Sequence, residues 1–264
     1  MAFQRLDDIV VHYDVAGRSG APALVLVNSL GTDLRVWDAL APHLAERFRL
    51  VRYDKRGHGL TDVTAGPYAM ARLAADLAGL LDRLEITRAV ICGLSIGGMI
   101  AQQLAADRPD LVRGLVLMDT AHRIGSPQMW DERIAAIRSQ GIASIADAIL
   151  TRWFSPAFHR DRPDELAGWR NMLCRTPVEG YLGCCAAIRD ADLTAAVKSV
   201  AVPTLCMVGD MDGSTPPAVV AELADLVPGA RLVTIPGAGH IPCVEQTATV
   251  AAALSAFFTE SRLG

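Results

Sequence analysis

The chain has 264 residues, 51% of them hydrophobic and 20% charged, with a formal net charge of -4. That length buries roughly three quarters of the surface exposed by the unfolded chain, so neither disulfides nor a structural metal are required, and the composition excludes a disordered chain. Mild acidity without a Lys/Arg stripe excludes a nucleic-acid binder, and the start MAFQRLDDIV lacks the basic and then apolar run of an export signal.

The first elements predicted are strands at about 3–7 and 9–13, forming a hairpin. The continuous apolar run 23–27 (ALVLV) reads as a strand covered on both faces. A helix over 35–46 and a strand over 48–53 follow. Residues 69–84 carry apolar side chains at helical spacing, at 70, 73, 77, 80, 81 and 84. Then come strand 88–92, helix 96–107 stopped by Pro109, and strand 113–118. The uncharged stretch 89–106 approaches the length of a membrane span, but Gly93, Ser95, Gly97, Gly98, Gln102 and Gln103 divide it into a strand and a helix. No membrane partner and a cytoplasmic location are therefore expected.

Residues 121–198 interrupt the alternation. They hold helical pieces at Met129–Ile137, Ile142–Leu150 and Val178–Ala187 and three of the four tryptophans. The pattern resumes with strand 204–208, helix 217–226, strand 231–235 and helix 245–258. Such alternation predicts an α/β fold with a mostly parallel eight-stranded sheet and helices on both faces. Residues 1–120 and 199–264 would form the core, and 121–198 a helical cap in the same domain.

Gly93-Leu94-Ser95-Ile96-Gly97 is the strongest motif. A serine hydroxyl is a weak nucleophile unless exposed and paired with a base. A tight strand-to-helix turn exposes it, and the crowded turn calls for glycine on either side. The following helix aims its N-terminal amides at the reacting centre, which suits an oxyanion. Ile96 N–H is one candidate donor. The second is the N–H of Leu30 in Asn28-Ser29-Leu30-Gly31, after strand 23–27.

His240, in GAGHIP beyond strand 231–235, is the candidate general base. Asp212, in GDMDGSTPP after strand 204–208, is the candidate acid that orients it, with Asp210 and Asp119 as rivals. His58, in RGHG, is expected to shape a turn, and His12, His43, His122 and His159 to pack or face solvent. Neither the histidines nor the six cysteines (92, 174, 184, 185, 206 and 243) show metal-ligand spacing, and the cysteines read as reduced core residues. No metal and no cofactor are expected.

The runs NSLGTDLRVWDALAPHL, RYDKRGHG, GLSIGG, GYLGCCAAIRDADL and GDMDGSTPP together resemble the 3-oxoadipate enol-lactonases of aromatic-compound catabolism, within the α/β-hydrolase superfamily. GLSIGG and RGHG are shared by many hydrolases; NSLGTDLRVW and GYLGCCAAIRDAD are more particular. The serine, acid, histidine order is that of this fold. The resemblance implies a small anionic lactone substrate. Some members of that family are fused to a decarboxylase domain; this chain ends soon after the His240 helix, so that activity is expected to be absent. A cation for the substrate carboxylate is sought among Arg189, Arg133 and Arg123, with Trp130 and Trp153 as pocket walls; each is also open to a packing or surface role. A general carboxylesterase or perhydrolase, and a non-catalytic ligand receptor, are the alternatives.

Overall fold

Five consecutive apolar residues, Ala23–Val27, form a strand buried along its whole length, and the sheet is built outward from it. The computed structural model describes residues 1–264. In chain order the elements are β1 Ala2–Leu6, β2 Ile9–Gly17, β3 Ala23–Val27, α1 Ala41–Ala45, β4 Arg49–Tyr53, α2 Met70–Arg83, β5 Ala89–Leu94, α3 Ile96–Asp107 and β6 Val112–Met118. Six helices follow: α4 Pro127–Gln140, α5 Ala146–Trp153, α6 Pro156–Asp161, α7 Pro163–Cys174, α8 Val178–Asp190 and α9 Thr194–Lys198. The chain then returns to the sheet with β7 Thr204–Gly209, α10 Pro217–Leu226, β8 Arg231–Ile235, α11 Pro242–Glu245 and α12 Thr247–Glu260.

The eight strands lie in the order β1-β2-β4-β3-β5-β6-β7-β8. The pairs β1–β2 and β2–β4 are antiparallel, and every other pair is parallel. From β3 the chain crosses by α1 to β4 on one side and later reaches β5 on the other. Right-handed crossovers therefore put α1 and α2 on opposite faces. α2 packs on α3, while Phe258 of α12 meets Phe48 beside α1, ring centroids 4.8 Å apart. The reversal of strand order at β3 leaves a crevice at the carboxyl ends of β3 and β5, where ligands bind in open α/β sheets.

Several boundaries differ from the sequence expectation. The single helix expected over 35–46 is a 3-10 turn, Leu34–Trp37, followed by α1. Pro42 has no N–H and restarts the helix at its first turn. The helix expected over 245–258 is divided at Gln246, whose backbone leaves the helical region. Among the six helices, α6, α7 and α9 were not legible. α6 and α9 are short, and α7 has only Leu173 fully buried, so its face carries no strong period. The buried residues of this insert, such as Trp130, Ile137, Trp153 and Leu173, join the sheet residues in one 82-residue hydrophobic cluster. No helix is long and apolar enough to cross a membrane.

Candidate active site

Ser95 sits between β5 and α3 with φ 59° and ψ -120°, a left-handed backbone uncommon for a residue with a side chain. The glycines around it are there for space. A Cβ on Gly93 would lie 2.2 Å from the Gly97 oxygen, one on Gly97 would lie 2.1 Å from the Val27 oxygen, and one on Gly98 would strike Thr120. The tight turn is pinned from outside: Ser95 N–H donates to Met118 O, and Thr120 Oγ1 donates to Ser95 O.

His240 and Asp212 come from the loops after β8 and β7. His240 Nδ1–H donates to Asp212 Oδ2 at 2.9 Å, with both side chains almost wholly buried. Asp212 is further held by Ser214 N–H and Thr215 N–H on Oδ1 and by Thr215 Oγ1 on Oδ2. Burial alone would raise the Asp212 pKa, but the His240 charge and these donors outweigh it, so it lies below the usual carboxylate range. With Nδ1 donating to the acid, Nε2 is left as the basic nitrogen. His240 and Ser95 line the same cavity.

The rival acids occupy different places. Asp210 is exposed and accepts from Ala238 N–H, tying the two loops together. Asp119 is fully buried at the end of β6, and its Oδ1 accepts from Gly209 N–H at 2.9 Å. Burial and the neighbouring Asp212 charge push its pKa well above the ordinary value. Asp119, Asp212 and His240 are a group with metal-ligand atoms close together, but the Asp212 oxygens already accept four donors, which is the arrangement of an acid orienting a histidine.

Leu30 and Ser29 line the same cavity as His240. No acceptor of the chain takes the Leu30 N–H, and Ile96 N–H lies in the first turn of α3, where amides lack intrahelical partners. His58 braces this loop rather than only its own turn. Its Nε2 accepts from Gly31 N–H at 3.0 Å, and Nδ1 faces Arg56 O. Complete burial, with the Lys55 charge adding to it, drives its pKa well down, so the imidazole is neutral and able to accept.

Trp130, Trp153 and Arg133 line the same cavity, and Arg152, not singled out from the sequence, joins them. The Arg133 guanidinium lies 4.6 Å from the centre of the Trp130 ring. Neither Arg133 nor Arg152 has a carboxylate within ion-pairing distance. The expectation for Arg189 and Arg123 is corrected: neither reaches the cavity. Arg189 pairs with Asp131 and Asp190, and Arg123 with Asp192. The run GYLGCCAAIRDAD serves docking instead. A Cβ on Gly180 would lie 2.2 Å from the Gly57 oxygen, and one on Gly183 would strike Tyr68, so α8 needs glycine to sit against the RGHG turn.

Glu245 also escaped sequence reading. It accepts from Gly239 N–H through Oε1 and from Ser155 N–H through Oε2, joining the His240 loop to the insert. Its position five residues after His240 is the only signal it carries. Serine, histidine and acid beside free amides are suited to acyl transfer.

The chain belongs to the alpha/beta hydrolase family, whose model matches residues 24–253. It is 34% identical to 3-oxoadipate enol-lactonase 2 of Acinetobacter baylyi, over 90% of this chain and 89% of that protein. The fold superposes on the enol-lactonase of Burkholderia xenovorans LB400 with a TM-score of 0.95 and 38% identity, covering 98% of this chain and 100% of that one. It also matches a thermophilic esterase from Thermogutta terrifontis, solved with malate bound, with a TM-score of 0.90, 30% identity and coverage of 96% and 94%.

Proposed function

We propose that this protein is a serine hydrolase that opens the ring of 3-oxoadipate enol-lactone to give 3-oxoadipate in aromatic-compound degradation. The carrying observation is a cavity that holds Ser95, His240, Leu30 and two arginines free of carboxylate partners, in a chain similar over nine tenths of its length to an enol-lactonase. Ser95 attacks the ring carbonyl while His240 Nε2 takes its proton. Asp212 holds the imidazole tautomer and stabilises the imidazolium without taking the proton. The amides of Leu30 and Ile96 receive the oxyanion. Ring opening expels an enolate, a better leaving group than an alkoxide; the enolate takes up the proton held by His240 and becomes the ketone, leaving the imidazole neutral again. Water activated by His240 then cleaves the acyl-enzyme. The reaction as proposed draws on these side chains, the two backbone amides and water. The helical insert, as a cap over Ser95, supplies Trp130 and Trp153 as walls and Arg133 with Arg152 for the carboxymethyl arm.

The test is loss of the enol-lactone's ultraviolet absorbance with and without purified protein. Turnover well above the uncatalysed rate is expected. Efficient hydrolysis of neutral aryl esters without action on the enol-lactone would favour a general esterase, the reading for which the similarity to the Thermogutta esterase speaks.

A further inference from the structure

Lys55 follows β4 and is 1% exposed, with no carboxylate at ion-pairing distance. Its ammonium donates to Ser29 O at 2.5 Å and reaches Thr32 O at 3.4 Å. Ser29 C=O and Leu30 N–H are the two ends of one peptide group. The same carbonyl also accepts from Thr32 N–H at 3.2 Å and Thr32 Oγ1 at 3.0 Å. Positive charge on a peptide oxygen draws electron density through the amide resonance, leaving the N–H more positive and a stronger donor.

We propose that Lys55 is a positioning residue that polarises the Ser29–Leu30 peptide and so strengthens the Leu30 N–H toward the developing oxyanion. This rests on the serine-hydrolase reading, in which that N–H is a donor. Lys55 itself stays behind the loop and touches no substrate.

A role in holding the fold accounts poorly for this lysine. Burying an ammonium without a carboxylate opposes folding. The loop carbonyls do not depend on it: Ser29 O keeps both Thr32 donors, and Thr32 O keeps Asn28 Nδ2. The groups facing the ammonium are Asp33, Asp54, the Cys184 thiol on α8 and the His58 imidazole. Asp33 is bonded to Arg35, and Asp54 to His12, Leu34 N–H and Leu60 N–H. Burial pulls the lysine pKa down to about 8, only partly resisted by Cys184, Asp54 and Asp33. The ammonium is therefore charged at neutral pH and loses its proton in mild alkali, so the polarisation is switched off as pH rises through that value.

The experiment measures kcat and KM from about pH 6 to about pH 9.5 for wild type, Lys55→Met, Lys55→Arg and Ser95→Ala, with thermal unfolding of each. The enol-lactone and p-nitrophenyl acetate serve as substrates, with uncatalysed rates subtracted. Wild type should show kcat falling through about pH 8 with both esters. Lys55→Met should lose about ten-fold in kcat at pH 7, less than outright removal of an oxyanion donor. Its KM should change little, its alkaline fall should vanish, and its Tm should equal or exceed that of wild type. Lys55→Arg should keep its rate across the range. An unchanged kcat in Lys55→Met, an alkaline fall that survives in either lysine variant, or no fall in wild type would overturn the proposal. Should Lys55→Met fail to fold, the wild-type and Lys55→Arg profiles still decide it. Turnover surviving in Ser95→Ala would overturn the serine reading itself, and the proposal with it.

Discussion

Asp119 and Asp212 end neighbouring strands of the sheet and bring carboxylate oxygens within 4.8 Å of each other, yet only Asp212 hydrogen-bonds His240. The two acids carry opposite environments. Asp212 is ringed by donors, whereas Asp119 has one N–H on Oδ1 and no partner on Oδ2.

Asp212→Asn should therefore lower kcat by about 10²–10⁴-fold, because an amide at Oδ2 favours the wrong imidazole tautomer. Asp119→Asn should keep kcat within about ten-fold of wild type, since Asp119 neither bonds His240 nor lines the cavity with Ser95. Steady-state kinetics on both variants separates the two. A crippled Asp119→Asn beside an active Asp212→Asn would reverse the assignment.

The same pair predicts opposed effects of pH on stability. The Asp212 pKa is lowered by folding, so its contribution is present above the unfolded value near 3.8 and is lost as pH falls through the folded value. The Asp119 pKa is raised, so its protonated form favours the fold at low pH and the advantage is lost as pH rises above about 3.8. Asp119→Asn should thus raise Tm at pH 7 and gain less on acidification than wild type. Unfolding midpoints across that range check it.

Carboxylate recognition is assigned to arginines that have no acid of their own. Arg133→Ala should weaken transition-state binding of the anionic enol-lactone by about 1.5–3 kcal/mol, the scale of a hydrogen bond to a charged group. Neutral aryl esters should be affected far less. Arg152→Ala should act in the same direction, more weakly, from the exposed rim. Arg189→Ala should leave kcat/KM for both substrates nearly unchanged, because its partners are Asp131 and Asp190. Equal losses for charged and neutral esters in Arg133→Ala would show that it supports Trp130 rather than reads the arm.

The contact of α8 with the RGHG turn predicts a backbone effect. In Gly180→Ala the new methyl meets the Gly57 backbone at 2.2 Å, and backbone cannot swing aside as a side chain can. A loss of about 1–3 kcal/mol in stability is expected, the range for overpacking a tight contact. Denaturant unfolding measures it, and an unchanged midpoint would mean that α8 docks differently.

The chain order of strands and helices, the serine turn and the histidine loop were legible because each is written locally. Period-two and continuous apolar runs specify strands, and GLSIG places glycine where a Cβ would strike backbone. Asp212 was preferred as the acid from its motif and chain order, but Asp210 and Asp119 stayed as rivals because all three follow strands. Only the packing of β7 beside β8 put the Asp212 carboxylate on His240 Nδ1, and that of β6 beside β7 left Asp119 buried against Gly209 N–H. The arginines show the same division. Arg189 drew attention through the run around it, but that run's glycines answer to the approach of α8, and its charge is neutralised by nearby aspartates. Arg152 and Lys55 carry no local signal, and Glu245 none beyond its place five residues after His240. Their roles depend on contacts between residues from 6 to 90 positions apart, which apolar periodicity does not encode: Lys55 meets Ser29 inside the core because β4 lies beside β3, whereas Glu245 meets Ser155 where the insert packs on the His240 loop.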